Sequence, residues 1–301
     1  MLPEQTEENN EYFSKQHVFL QEVVSLGANI LIEDKTPKTT GAENIAPVIL
    51  FRHFLDIIDS ISFLVRAGNG DTPKMLLRPA LEILLYLEYI FKDNTREKCI
   101  SYMVKEYLNE IKRIERLDPE SEVGRSFHEL LNQIGHKETL QSVFTQDEIK
   151  KHIQKRKDIL ESEFYKPVYD EYLLEKSNNK GAVKWYQLYG GGRSIEALAK
   201  KLNYSLEYEV FYRSWSGGIH GSDLYLGRMF EDTEENKTEV VQIRFPADVP
   251  IIIEHTIKLS HKVFSLFLVN RIPEKQEKYE DQLISLNKYW EKLNAHNSMM
   301  I

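Results

Sequence analysis

Large apolar side chains fall three and four residues apart over most of this chain, and that spacing admits long helices and little else. Between Glu11 and Leu31 they are Phe13, Phe19, Leu20, Val23, Val24, Ala28 and Leu31, one face of a single helix. The 301 residues hold only 14 glycines and 10 prolines, below the usual shares of about 7% and 5%, so the chain has few places to turn. Helices of this kind bury their apolar stripes against one another.

A turn-rich segment from Glu33 to Glu43 ends the first helix. A second is predicted from Ala46 to Ala67, stopping at Gly68-Asn69-Gly70-Asp71. A third follows over Met75–Phe91, with Asp71 or Thr72 as N-cap and Pro73 in the first turn. Pro79 inside it deletes one backbone hydrogen bond and favours a kink. Thr95–Leu117 reads as a fourth helix, closed by Asp118-Pro119, and the middle from about Glu120 to Asn179 as weaker, more polar helices. After a loop at Ser177–Gly181 come Trp185, Gly190–Gly192, a short helix over Ser194–Leu202 and a longer one from Leu206 to about Phe230. Val240–Phe245 alternates like one short strand, and Val249–Asn270 and Glu274–Asn294 close the chain as helices. The fold class expected is all-α: a multi-helix bundle with at most one short β element. It is read as a single helical domain over residues 1–301, with a core at 46–230, a polar insert at about 120–180, and helices of 231–301 packing on that core.

Apolar residues make up 42% and charged residues 29%, enough to bury a core without staples. The lone Cys99 excludes an internal disulfide framework and a multi-cysteine metal site. No uncharged apolar run reaches the roughly 18–20 residues of a membrane span, and the polar, acidic start is unlike a secretory signal, so no membrane association and a cytoplasmic address are expected. The 39 basic residues against 47 acidic ones leave a net charge of −8, which argues against coating duplex DNA. Leu198–Ser205 has the spacing of a helix-turn-helix start. The helix that would read bases begins Leu206-Glu207-Tyr208-Glu209, and its glutamates face a phosphate-lined groove poorly, so sequence-specific DNA binding is not expected.

Neither a phosphate-binding Gly-x-x-x-x-Gly-Lys-Ser/Thr loop nor a Gly-x-Ser-x-Gly elbow is present. None of the nine histidines follows a glutamate by three residues, and His-Glu-x-x-His is absent. No metal and no cofactor are therefore expected. His255 and His261, six apart, fall roughly on opposite sides of a helix and are read as packing or solvent-facing.

The unusual chemistry lies in two segments. In Tyr212-Arg213-Ser214-Trp215-Ser216-Gly217-Gly218-Ile219-His220-Gly221, an α-helix sets Arg213, Ser216 and His220 on one stripe. Arg213 and His220 are then ~10 Å apart along the axis. A guanidinium suits phosphate, and an imidazole carries protons near neutral pH. Paired glycines sacrifice about 2 kcal/mol of helix stability unless close approach or ligand access requires them. The second segment, Arg78-Pro79-Ala80-Leu81-Glu82 with Tyr86 one turn on, spaces Arg78 and Glu82 for an i,i+4 pair on an apolar helix. That pair either supports the first segment or is a structural ion pair. The basic run Lys150, Lys151, Lys155 and Arg156 is either a solvated face or a strip for a nucleic-acid backbone.

The order Arg78-x-x-x-Glu82, Trp185, Tyr212-x-x-x-Ser216-x-x-x-His220-Gly221 resembles the uncharacterised prokaryotic domain of unknown function 5677 family. That family looks like a branch of the HEPN superfamily (higher eukaryotes and prokaryotes nucleotide-binding), whose signature is Arg, four to six residues, then His. Arg213 and His220 fit it with six between, and Ser214 stands where Asn, Asp or His is common. The resemblance spans roughly Ala46 to Phe230. It implies a bundle that dimerises around two Arg/His motifs and acts as a metal-independent endoribonuclease in toxin or antiphage systems. Arg213 and His220 are then catalytic, with Tyr212, Ser216 and Gly217 lining the site and Arg78 and Glu82 supporting it. RNA or a nucleotide would be the ligand, and a neutralising or activating protein the partner. The alternative within the superfamily is a non-catalytic nucleotide-binding or protein-interaction module.

Overall fold

A computed structural model describes residues 7–34, 41–135, 145–179, 181–215, 229–232, 237–241, 243–244 and 246–297. Its helices are α1 (Glu7–Glu33), α2 (Ala42–Arg66), α3 (Thr72–Lys92), α4 (Thr95–Glu115), α5 (Glu122–Gln133), α6 (Gln146–Leu160), α7 (Lys166–Asn178), α8 (Ile195–Lys201), α9 (Ser205–Tyr208), α10 (Val249–Arg271) and α11 (Gln276–Asn297). A π-helical turn continues α9 over Glu209–Ser214, and 3-10 turns lie at Trp185–Gln187 and Pro273–Lys275. The fold is an all-α multi-helix bundle carrying one small β-ribbon. No helix among the described residues is long and apolar enough to cross a membrane.

The ribbon pairs β1 (Met229–Asp232) antiparallel with β2 (Lys237–Val240), Met229 opposite Val240 and Asp232 opposite Lys237. It differs from the sequence reading at both edges. Phe230, expected to end a helix, is in β1, and the strand expected from Val240 to Phe245 shares only Val240 with β2. A strand of this length has no stability without a partner, and the partner here is a segment whose Met-Phe start is equally compatible with a helix.

The chain divides into two compact units: Met1–Thr40, Pro47–Asp93 and Ile195–Ile301 in one, Gly41–Ala46 and Asn94–Ser194 in the other. In the first unit α10 packs along α3 and α1. Phe51 and Phe54 of α2 meet Phe264 and Phe267 of α10, with Phe51 and Phe267 ring centroids 4.3 Å apart and all four rings fully buried. Leu77, Leu81, Leu84 and Leu85 line the buried side of α3. Asn69 starts α3, its carboxamide oxygen accepting the N–H groups of Asp71 (3.1 Å) and Thr72 (3.0 Å). Asp71 is the N-cap residue, as expected, but its side chain takes Lys74 at 3.1 Å rather than a backbone N–H of the first turn. Helix α2 begins four residues before the expected Ala46 and carries Pro47, and α3 runs on through Pro79.

Gly27 lets α1 close on this core. A Cβ there would lie 2.4 Å from Leu55 Cδ2 and 2.6 Å from Phe264 Cζ. Gly27→Ala is expected to lower stability by about 1–3 kcal/mol through overpacking, despite the better helix propensity of alanine. Urea unfolding checks this, and an unchanged midpoint would contradict it.

The second unit is the polar middle, and two of its helices start on side-chain caps. Ser121 Oγ accepts the Gly124 N–H at 2.8 Å to begin α5. Thr145 and Glu148 form a reciprocal capping box at the start of α6. The 3-10 turn at Trp185 is fixed to α4 by Ser101 Oγ, which donates to the Trp185 carbonyl at 2.6 Å, and by Tyr102 edge-on to the indole at 5.4 Å.

Candidate functional site

The segment that carries Arg213 begins with a break in the chain. Asn203, at φ +65°, ends α8, and Tyr204 N–H returns to the Ala199 carbonyl at 2.8 Å. One α-helical turn over Ser205–Tyr208 follows, then the π turn Glu209–Ser214 and Trp215 as its end. The expected continuous α-helix from Leu206 is therefore corrected. A π turn inserts an extra residue per turn and concentrates at functional sites, and Arg213 lies within this one. Ser216, Gly217 and His220 lie outside the described residues.

Stacked rings occupy this turn. Tyr208 lies against Tyr212 with centroids 5.0 Å apart and planes 15° apart. Arg78 of α3 covers the Tyr212 ring with its guanidinium carbon 3.9 Å from the centroid. The i,i+4 ion pair expected between Arg78 and Glu82 is absent among the described residues. Glu82 accepts instead from Tyr86 Oη at 3.2 Å, one turn along the same helix. The flat guanidinium gains from stacking on a ring that the π turn delivers, while the carboxylate finds a phenol. The Tyr212 phenol lies within the electrostatic influence of both groups. Burial first, and then the Glu82 charge, push this phenol above its ordinary value, against the Arg78 guanidinium. Arg78, Glu82 and Tyr212 are thus brought together.

Arg213 points the other way, its side chain 57% exposed. Its guanidinium donates to Glu196 of α8 at 2.9 Å and lies 3.4 Å from Glu209. Glu209 was legible four residues before Arg213, whereas Glu196 had no local signal and arrives through the fold.

A cleft of about 390 Å³ opens beside the π turn, lined by Leu206, Val210, Phe211, His255, Lys258 and His261 among others. The sequence reading gave His255 and His261 to separate packing or solvent roles. They are about 120° apart around α10 at 100° per residue, and the cleft is broad enough to take both. His255 stands edge-on to Phe211 at 4.8 Å and to Trp215 at 5.7 Å. Burial among these rings, with Lys258 adding to it against Glu254, holds its imidazole below the ordinary value. The unfolded chain therefore binds this proton more readily than the folded one. Stability is full above the ordinary imidazole value and declines as pH falls through it. His255→Phe is expected to flatten that acid-side decline in thermal melts, and an unchanged pH profile would contradict the assignment.

The basic run of α6 is partly neutralised. Lys150 pairs with Glu120 at 2.7 Å, and Arg156 with Glu110 at 2.8 Å while its guanidinium carbon lies 5.4 Å from the Tyr107 centroid. Lys151 and Lys155 are exposed. Among the described residues, no group of three or more His, Cys, Asp or Glu side chains is placed to hold a metal.

No curated protein and no solved structure matches this chain. A family model does match, over residues 44–238, a span that holds Arg78, Glu82, Tyr212, Arg213, Ser216 and His220. By that match the chain belongs to the Family of unknown function (DUF5677).

Proposed function

We propose that this protein is an RNA-directed, metal-independent endoribonuclease of HEPN-like descent, acting as a dimer in the cytoplasm as a toxin or antiphage effector under the control of a protein partner. The observation that carries this reading is the setting of Arg213. Its guanidinium is held at the surface of a π turn by two exposed carboxylates. Exposed pairs are worth about 0–1 kcal/mol each, so a phosphate that offers the same fork-to-oxyanion geometry displaces them at little cost. His220, seven residues on, supplies a group that titrates near neutral pH.

In this reaction the ribose 2′-oxygen attacks the adjacent phosphorus and the bond from phosphorus to the 5′-oxygen breaks. The products are a 2′,3′-cyclic phosphate and a 5′-hydroxyl. His220 moves the proton lost from the 2′-hydroxyl or gained by the 5′-oxygen, and the partner subunit's motif provides the complementary group. Arg213 stabilises the charge on the pentacoordinate phosphorus. Tyr212, Ser216 and Gly217 line the site, with Tyr212 held by Arg78 and Glu82.

A second reading, a nucleotide-binding or protein-interaction module without catalysis, is favoured by the same Glu196 and Glu209 contacts, which satisfy Arg213 without a ligand. Incubation of purified full-length protein with labelled single-stranded RNA separates the two. Shortened products support the nuclease. Retention of intact RNA, lost in Arg213→Ala, supports the binding module.

A further inference from the structure

Lys150 and Arg156 of α6 are matched by carboxylates, but a different set of cations in the same unit is not. Lys105 of α4 is partly buried, and its ammonium donates to the Tyr172 hydroxyl of α7 at 3.3 Å while lying 5.4 Å from that ring's centroid. Tyr172 itself is buried. Lys176 stands one helical turn beyond Tyr172 on α7, on the same face. Lys184 immediately precedes the 3-10 turn at Trp185, which Ser101 ties to α4, and Lys105 is one turn beyond Ser101. Two further elements thus bring Lys176 and Lys184 within electrostatic reach of Lys105. Among the described residues, none of the three has a carboxylate within ion-pair distance. Burial, and then the charges of Lys184 and Lys176, press the Lys105 ammonium below its ordinary value, with Glu106 opposing them.

A half-buried cation beside a phenol, with two more cations set against the single carboxylate of Glu106, is electrostatically costly. An anion at that position removes the cost, because it screens the three ammonium groups from one another and accepts from each of them. We propose that Lys105, Lys176, Lys184 and the Tyr172 hydroxyl form a binding site for a phosphate-bearing ligand. Lys105 and Tyr172 form its floor, and Lys176 and Lys184 its exposed rim. Tyr172 accepts from Lys105 and keeps its own hydrogen to donate to a phosphate oxygen. The site stands independently of any cleavage at Arg213.

Free phosphate compounds and an RNA strand present the same oxyanions. Calorimetric titration of inorganic pyrophosphate into the full chain at low ionic strength is the test. A single saturable site is expected, weakened about tenfold or more by Lys105→Met and also weakened by the exposed Lys184→Gln, with Lys150→Gln as an unaffected control. Circular dichroism confirms that Lys105→Met is folded, and Lys184→Gln carries the test if it is not. Competition by a single-stranded oligoribonucleotide identifies an RNA backbone as the natural source, and its absence a free phosphate compound. Failure of pyrophosphate to saturate, or equal affinity in folded Lys105→Met and Lys184→Gln, overturns the proposal.

Discussion

Asp34→Ala is expected to lower the unfolding free energy by about 3–5 kcal/mol, because it removes a carboxylate from a guanidinium held in a dry site. Asp34 directly follows α1 and is completely buried, and Arg271, the last residue of α10, has a side chain only 7% exposed. Both the Nε and a terminal nitrogen of Arg271 reach one Asp34 oxygen, at 3.1 and 2.9 Å. The pair joins the ends of two long helices that pack where Gly27 of α1 faces Phe264 of α10, and it fixes how far one slides along the other. Replacing both partners by apolar residues, Asp34→Leu with Arg271→Met, is expected to recover much of the loss, since a buried pair costs desolvation that an apolar pair does not. Urea unfolding of the three variants checks both statements. A single variant as stable as wild type would show that this pair does not lock the helices.

His220→Ala is expected to reduce RNA cleavage about 10²–10⁴-fold, the usual contribution of a positioned proton carrier. Arg213→Ala is expected to cost about 10²–10³-fold, the scale for losing one group that stabilises transition-state charge. Stability should separate the site from a structural role. Arg213 is exposed and its ion pairs are worth about 0–1 kcal/mol, so Arg213→Ala should melt close to wild type. Glu196→Gln frees one side of the guanidinium and should tighten RNA binding. Weaker binding in that variant would mean that Glu196 positions Arg213 for its ligand rather than competing with it.

The long helices were legible because each carries its own apolar period. α1, α3, α4, α10 and α11 lie within a few residues of where spacing and turn residues put them, apart from α1's earlier start. The polar middle forms helices through caps such as Ser121 and the Thr145–Glu148 box, which act locally but give no hydrophobic stripe. The π turn could not be read, since no local spacing marks it, and its Tyr212 meets Arg78 on a helix more than a hundred residues earlier in the chain. The same contact explains why the Arg78–Glu82 spacing misled: i,i+4 spacing permits an ion pair, and a better partner from another element takes one of the two groups. Arg213, Tyr212, Arg78 and Glu82 were all legible as unusual. That His255 and His261 share a cleft was not, because a helical wheel does not reveal the shape of the neighbouring surface.

The most direct test of the nuclease reading is the 3′ end of the product when the full chain cleaves single-stranded RNA in EDTA. The account predicts undiminished cleavage and a 2′,3′-cyclic phosphate. Cleavage that requires an added divalent cation, or a product with a 3′-hydroxyl, would contradict it.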